Sequence, residues 1–151
     1  MLTNLGCSVS IAIVFSGVYL WMGMLTGVWK YYQIFHSEQA RAHYYVDIAH
    51  RSSLLYASAT LILAVLAYFS IWQEWVNVLL ILANIVFFSF SILSYVAHGF
   101  MRDTQNQFQT PHTFGKGHLP QFLMTSAMIL LIVAEVGATS ILLIGAIMGL
   151  S

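Results

Sequence analysis

Residues 52–101 read SSLLYASATLILAVLAYFSIWQEWVNVLLILANIVFFSFSILSYVAHGFM, a stretch whose only charge is Glu74. About 20 consecutive apolar residues cross a bilayer as an α-helix. This stretch therefore predicts two spans, 52–72 and 75–100. Only a few residues around Gln73 and Glu74 join them, so they form an antiparallel hairpin. The apolar runs are continuous rather than alternating, which favours helices over a β-barrel. Working outward, no charge occurs from Met1 to Trp29, and Gly117 to Ser151 contains only Glu135. Two further spans follow, roughly 8–29 and 119–150. The predicted fold class is all-α: a polytopic membrane protein, a four-transmembrane-helix bundle forming one domain over residues 1–151. The first span lacks the basic start and small-residue cleavage motif of a signal peptide, so it is expected to stay in place.

Composition supports the same solvent. Sixty per cent of the chain is hydrophobic and 7% charged, where a soluble domain carries roughly 25% charged residues. Too few polar groups exist to cover a water-facing surface. A soluble enzyme is thereby excluded, and so is disorder. Five Lys+Arg balance five Asp+Glu, so there is no basic excess for nucleic acid. The single Cys7 cannot form an internal disulfide.

The two longer links, 30–51 and 101–118, must lie on one side of the membrane. They hold every basic residue: Lys30, Arg41, Arg51, Arg102 and Lys116. The positive-inside rule places both links in the cytoplasm and both termini outside.

All six histidines (His36, His43, His50, His98, His112 and His118) fall in or beside those links. Exclusion from the bilayer core explains their absence from the middle of the spans, but not from the opposite end. His36, His43 and His50 are seven apart, so on one helix they would form a stripe. Asp47, four after His43, would share that face and could hold the imidazole tautomer. Successive members lie about 10.5 Å apart along a helix axis, too far to share one small metal ion. On the third span, Asn84, Ser91, Tyr95 and His98 form a polar face in an otherwise apolar helix. Polar groups in lipid face protein, cofactor or water, so the two stripes are expected to face each other across a cavity near the cytoplasm.

Other residues leave alternatives open. Tyr95 reads equally as an aromatic-belt residue and as a substrate-facing group. Glu135, the one acid inside a span, reads as functional or paired, or as a structural carboxyl near Thr139 and Ser140. Met22, Met24, Met124 and Met128 read as packing. No structural-zinc spacing, nucleophile elbow, phosphate loop or H-E-x-x-H occurs. The chemistry left open is that of a bound cofactor or a single Lewis-acid centre.

Several segments match a known family in order along the chain. They are Leu20-Trp21-Met22, Ala40-Arg41-Ala42-His43, the Tyr-x-x-x-x-Phe spacing at Tyr95 and Phe100, and Asn106-Gln107-Phe108. Together with helix count and length, they make the chain resemble the styrene oxide isomerases, small four-helix membrane enzymes that carry haem b and assemble as trimers. The resemblance implies that His43 is the axial ligand of the haem iron and that Tyr95 lines the substrate side. Arg41, Asp47 and Asn106 join His43 as the expected cofactor-binding set, and Arg41, Arg51 and Arg102 stand at the correct end for the propionates. Where the family has an Asn-Gly pair after the axial histidine, this chain has Ala49 and His50. His50 is thus expected to be a second iron ligand or a distal acid/base, and with Tyr95 it forms the catalytic set.

The implied reaction is the rearrangement of a small apolar epoxide to an aldehyde. A ferric iron with an open position acts as a Lewis acid, the benzylic C–O bond opens, and a 1,2-hydride shift follows in a dry pocket. The implied partners are the epoxide, the lipid bilayer of a bacterial inner membrane and two further copies in a homotrimer, with no nucleic acid. Two competing readings stand beside this one. The first is a bis-histidine b-type cytochrome pairing, for example, His43 with His98 or His50 of a neighbouring protomer, and the second is a structural subunit of a larger membrane complex.

Overall fold

The computed structural model describes residues 5–151. It is a four-helix bundle: α1 (Cys7–Phe35), α2 (Tyr44–Phe69), α3 (Glu74–Met101) and α4 (Gln121–Leu150). Each helix is long and apolar enough to cross a membrane. A two-stranded antiparallel hairpin, β1 (His112–Phe114) and β2 (Gly117–Leu119), lies between α3 and α4. Its turn passes through Gly115 at φ +59°, a left-handed conformation that glycine adopts without a Cβ penalty.

The helices outrun the charge-free stretches that predicted them. α1 continues six residues beyond Trp29 to Phe35, and α2 begins eight residues before Ser52, at Tyr44. Charge marks where lipid ends, whereas a helix continues as long as its backbone and side chains find partners. Here Asp47 receives Lys30 Nζ at 2.6 Å and Arg51 at 2.8 Å, so three charged residues sit within helical segments as one ion-paired cluster with a net charge of +1. The first link shrinks to 36–43. Ala40, at φ +52°, reverses the chain there, at a cost of about 1–2 kcal/mol for a residue with a Cβ.

α2 and α3 form the central hairpin, and each packs on all three other helices, with α1 and α4 flanking. The core is built from Ile81, Ile85, Phe88 and Ile92 on α3 against Ala57, Leu63 and Ala64 on α2 and Ala12 and Tyr19 on α1. Polar groups inside it are satisfied locally, as lipid requires. Tyr19 Oη donates to the Ile85 carbonyl at 2.9 Å, and Ser16 Oγ donates to the Ala57 carbonyl at 2.8 Å.

At the end away from the basic residues, Glu74 accepts the Ser8 N–H at 2.6 Å and the Ser8 hydroxyl at 3.1 Å. That places a carboxylate at the N-terminus of α1, where free amides and the helix dipole favour it. α4 is anchored at the same end. Trp72 Nε1 donates to the Ile141 carbonyl at 2.9 Å, and the Ile71 N–H donates to the Gly145 carbonyl at 3.2 Å. Gly145 has to be glycine, because a Cβ would run into the Trp72 indole. The buried residues of α4 are Ala138, Leu142, Gly145 and Ala146, all in its second half. Its first half stands off from α3 and leaves a cavity.

Candidate functional site

Two cavities open at the basic end. The first, about 530 Å³, lies between α3 and the first half of α4 and is closed over by the hairpin. Phe90, Leu93, Phe114, Leu123 and Met128 give it an apolar wall, and Ser91, Ser94, Tyr95 and His98 of α3 give it one polar face. Most of the polar stripe predicted on α3 therefore does face a cavity. Asn84 does not: it lies deeper and accepts the Thr139 hydroxyl at 3.1 Å.

The second cavity, about 850 Å³, is formed by the end of α1, the link 36–43, the start of α2 and residues just past α3. His43, His36, Arg41, Arg102, Lys30 and Asp47 border it. His43 is the N-cap residue of α2. Its backbone N–H is held by Gln33 Oε1 at 2.8 Å, and its carbonyl accepts the amides of Val46 and Asp47. The imidazole is not held in that way: Nδ1 is buried without a hydrogen-bond partner. Burial and the Arg102 guanidinium push the ring below the usual histidine range, against a smaller opposing pull from Asp103. The ring is therefore neutral at pH 7, with a lone pair available.

This geometry corrects three expectations. His36, His43 and His50 do not share a helical stripe, because the chain must reverse between antiparallel α1 and α2. Asp47 is occupied by Lys30 and Arg51 and does not hold the His43 tautomer. The two polar stripes do not enclose one cavity: His43 and Tyr95 open into different ones. Tyr45 stands between them, its ring 6.1 Å from that of Tyr95 and 6.4 Å from that of His43.

The remaining expected residues fall as follows. His50 borders neither cavity; its Nδ1 donates to the Gly23 carbonyl of α1 at 2.8 Å, and its ring packs over Gly27. Asn106 is exposed, and its Oδ1 accepts the Phe108 N–H at 3.0 Å within its own loop. Arg41 and Arg102 border the His43 cavity, and among the described residues neither has an acidic partner. Arg51 lies outside that cavity, paired with Asp47. Glu135 continues the α4 face of Met124, Met128 and Leu131 one turn deeper. Its Oε1 is buried without a partner, because Thr139 turns to Asn84 instead.

Two residues escaped sequence reasoning. Asp103 Oδ1 accepts His98 Nδ1–H at 2.8 Å, with the two side chains only 5% and 3% exposed. Its Oδ2 accepts the Gly115 N–H at 2.6 Å. Burial pushes this carboxyl up, but the His98 ring and the Gly115 amide outweigh it and hold it below the usual carboxylate range. Gln107, buried, ties the loop to two helices: it accepts the Ser94 hydroxyl at 3.1 Å, and its N–H donates to Tyr45 Oη at 2.6 Å. Its carbonyl also accepts His112 Nδ1 at 3.1 Å. Asp103 is five residues from His98 across a helix end, a spacing that no helical period predicts. Gln107 had a signal, since it sits inside the matched Asn106-Gln107-Phe108 segment.

No group of three or more metal-ligating side chains occurs among the described residues. A porphyrin supplies four of the iron's nitrogens and asks the protein for only one or two axial ligands. His43 Nδ1 is enclosed, but Nε2 has no hydrogen-bond partner among the described residues and is not enclosed, and this nitrogen, with Arg41 and Arg102 on the same cavity wall, fits that demand.

Fold and site together define an integral membrane protein of the four-helix type, with a basic, imidazole-bearing end. No protein-family model, curated protein or solved structure matches the chain.

Proposed function

We propose that the protein is a haem-dependent membrane isomerase that converts small apolar aryl or alkyl epoxides to aldehydes. The observation that carries this reading is the His43 ring. It is neutral and borders a cavity with an Nε2 that has no partner among the described residues and is not enclosed, and the same cavity presents Arg41 and Arg102, which have no acidic partner among the described residues. His43 would hold the iron, and Arg41 and Arg102 would pair with the propionates. When bound, ferric haem supplies the Lewis acid for opening an epoxide C–O bond.

The chain's own part is positioning and exclusion of water. The apolar cavity beside α3 admits a lipophilic substrate from the bilayer, and the Tyr45 ring, which stands between Tyr95 and His43, has to turn aside for that substrate to reach the His43 side. Tyr95 presents the hydroxyl of that cavity that can orient a substrate oxygen. The reaction has no net redox change, in keeping with a chain that offers few titratable side chains.

In this reading the basic end faces the cytoplasm of a bacterial inner membrane, both termini lie outside, and the protein works as a homotrimer. The five-to-nothing split of Lys and Arg supports the orientation. The test is spectral and catalytic. Purified protein should show a Soret band that His43→Ala abolishes, and it should form phenylacetaldehyde from styrene oxide without added reductant. A haem-loaded, folded sample with no turnover removes the catalytic half of the proposal.

One observation favours a second reading, a six-coordinate b-type cytochrome: His36 borders the same cavity as His43. A low-spin iron that resists azide and imidazole analogues would select this reading.

A further inference from the structure

Histidines that act on a substrate are usually held by a partner on the far ring nitrogen. A buried carboxylate accepting from Nδ1–H fixes the tautomer, orients the ring and stabilises the imidazolium formed when Nε2 takes a proton. His98 has this arrangement. Asp103 can only accept when ionised, so the 2.8 Å contact assigns the Nδ1 proton to His98. Nε2 has no hydrogen-bond partner among the described residues and is not among the fully enclosed, unsatisfied polar atoms. The ring borders the 530 Å³ cavity. Tyr45 and Phe114 grip its faces and edge, with ring centroids at 5.1 and 5.6 Å. Tyr95, three residues earlier on the same helix, borders that cavity too and stacks on the same Tyr45.

The environment adds to the arrangement. The cavity wall is overwhelmingly apolar, so a base inside it meets little water, and an interaction with a polarised oxygen is strengthened. His98 borders the cavity through which the isomerase reading brings its substrate, but no step of that reading uses His98 or Asp103.

We propose that His98 and Asp103 form a general-base dyad serving the cavity between α3 and α4. Its substrates are apolar carbonyl compounds that carry a hydrogen on the carbon next to the carbonyl. His98 Nε2 takes that proton, the C–H electron pair becomes the enol C=C bond, and the carbonyl π pair moves to oxygen. Tyr95 Oη gives the oxygen its proton. The imidazolium exchanges its Nε2 proton with solvent at the cavity mouth, delivery of the new proton to the same carbon regenerates the carbonyl compound, and Tyr95 recovers its own proton. No oxidant, reductant or metal takes part. The expected activity is exchange of the α-hydrogen with solvent, and the inference stands whether or not His43 holds haem.

The test uses the full chain in detergent or nanodiscs, with phenylacetaldehyde in D2O and deuterium incorporation followed by NMR. Wild type should exchange the α-hydrogens well above the rate of protein-free micelles. His98→Gln should fall to that background, while Asp103→Asn and Tyr95→Phe should each lose tenfold or more. His98→Gly should regain exchange when imidazole is added, a rescue that a purely structural histidine would not give. The proposal is overturned if wild type exchanges no faster than empty micelles. It is overturned equally if His98→Gln, still helical by circular dichroism, exchanges like wild type, or if imidazole restores nothing to a folded His98→Gly.

Discussion

The two cavities share the basic end of the bundle and little else. The cavity beside α3 is made from one helix face set against another, roofed by the hairpin. The one around His43 is made from a link, a helix start and a helix end, and it is bordered by charge. In the first, each residue's neighbours follow from helical spacing: Ser91, Tyr95 and His98 share a face because 3.6 residues make a turn. In the second they follow from where the chain reverses, and the regular spacing of His36, His43 and His50 carries no geometry. A periodic pattern is informative only while the backbone that gives it meaning continues.

The largest test of this contrast is His43→Ala. The Soret band should vanish completely while the helical circular dichroism stays intact, because the substitution touches the cavity of the link and leaves the helix-face cavity whole. Haem retained at full stoichiometry would move the ligand elsewhere and end the assignment of the charged cavity.

Asp103→Ala attacks the other cavity through its roof. It leaves His98 Nδ1–H and the Gly115 amide without their acceptor, at a cost of about 2 kcal/mol, read as a lower thermal midpoint in detergent. The pH dependence has a defined sign. The folded carboxyl titrates below its unfolded value, so its stabilisation is complete above the ordinary carboxylate range and is lost as pH falls through the folded value. The wild-type midpoint should therefore drop on acidification through that window, and the Asp103→Asn midpoint should lose that part of the drop.

Tyr95→Phe separates the cavities by function. Epoxide turnover should fall by about tenfold, the equivalent of one hydrogen bond of about 1.4 kcal/mol, with the Soret band unmoved. A shifted band would instead bring Tyr95 to the iron, across the Tyr45 ring that now stands between them.

Arg102→Ala should act at the charged cavity alone. The guanidinium helps to push the His43 ring down, so its removal lets the ring protonate at higher pH and compete with the metal sooner. Acid titration of the haem-loaded protein should then release haem at a higher pH than in wild type. The smallest effect is expected for Asn106→Ala, no more than about 1 kcal/mol of stability and no change in haem content, since Asn106 serves its own loop. Loss of haem in that variant would restore it to the cofactor site.

Much of the molecule was legible before any coordinates. The hairpin around Glu74 and the four spans follow from charge-free runs, and the polar face at Ser91, Tyr95 and His98 follows from spacing. Helix ends were less legible. Lys30, Asp47 and Arg51 look like the edge of the bilayer, yet they lie within helices, where Asp47 pairs with both cations. The β-hairpin had no signal in a segment of 18 residues that reads only as a polar link. The Asp103 partnership spans the end of α3, where helical periodicity stops.

The sequence by itself determined the solvent, the helix count and the pairing of neighbours, since apolar length and short connections leave a bilayer few solutions. Tertiary structure alone decided which imidazole lost its partner and which gained a carboxylate. Those outcomes depend on ångström-scale contacts that periodicity does not encode: Lys30 meets Asp47 only after α1 and α2 have packed, and Asp103 reaches His98 and Gly115 only once the chain has turned past the end of α3.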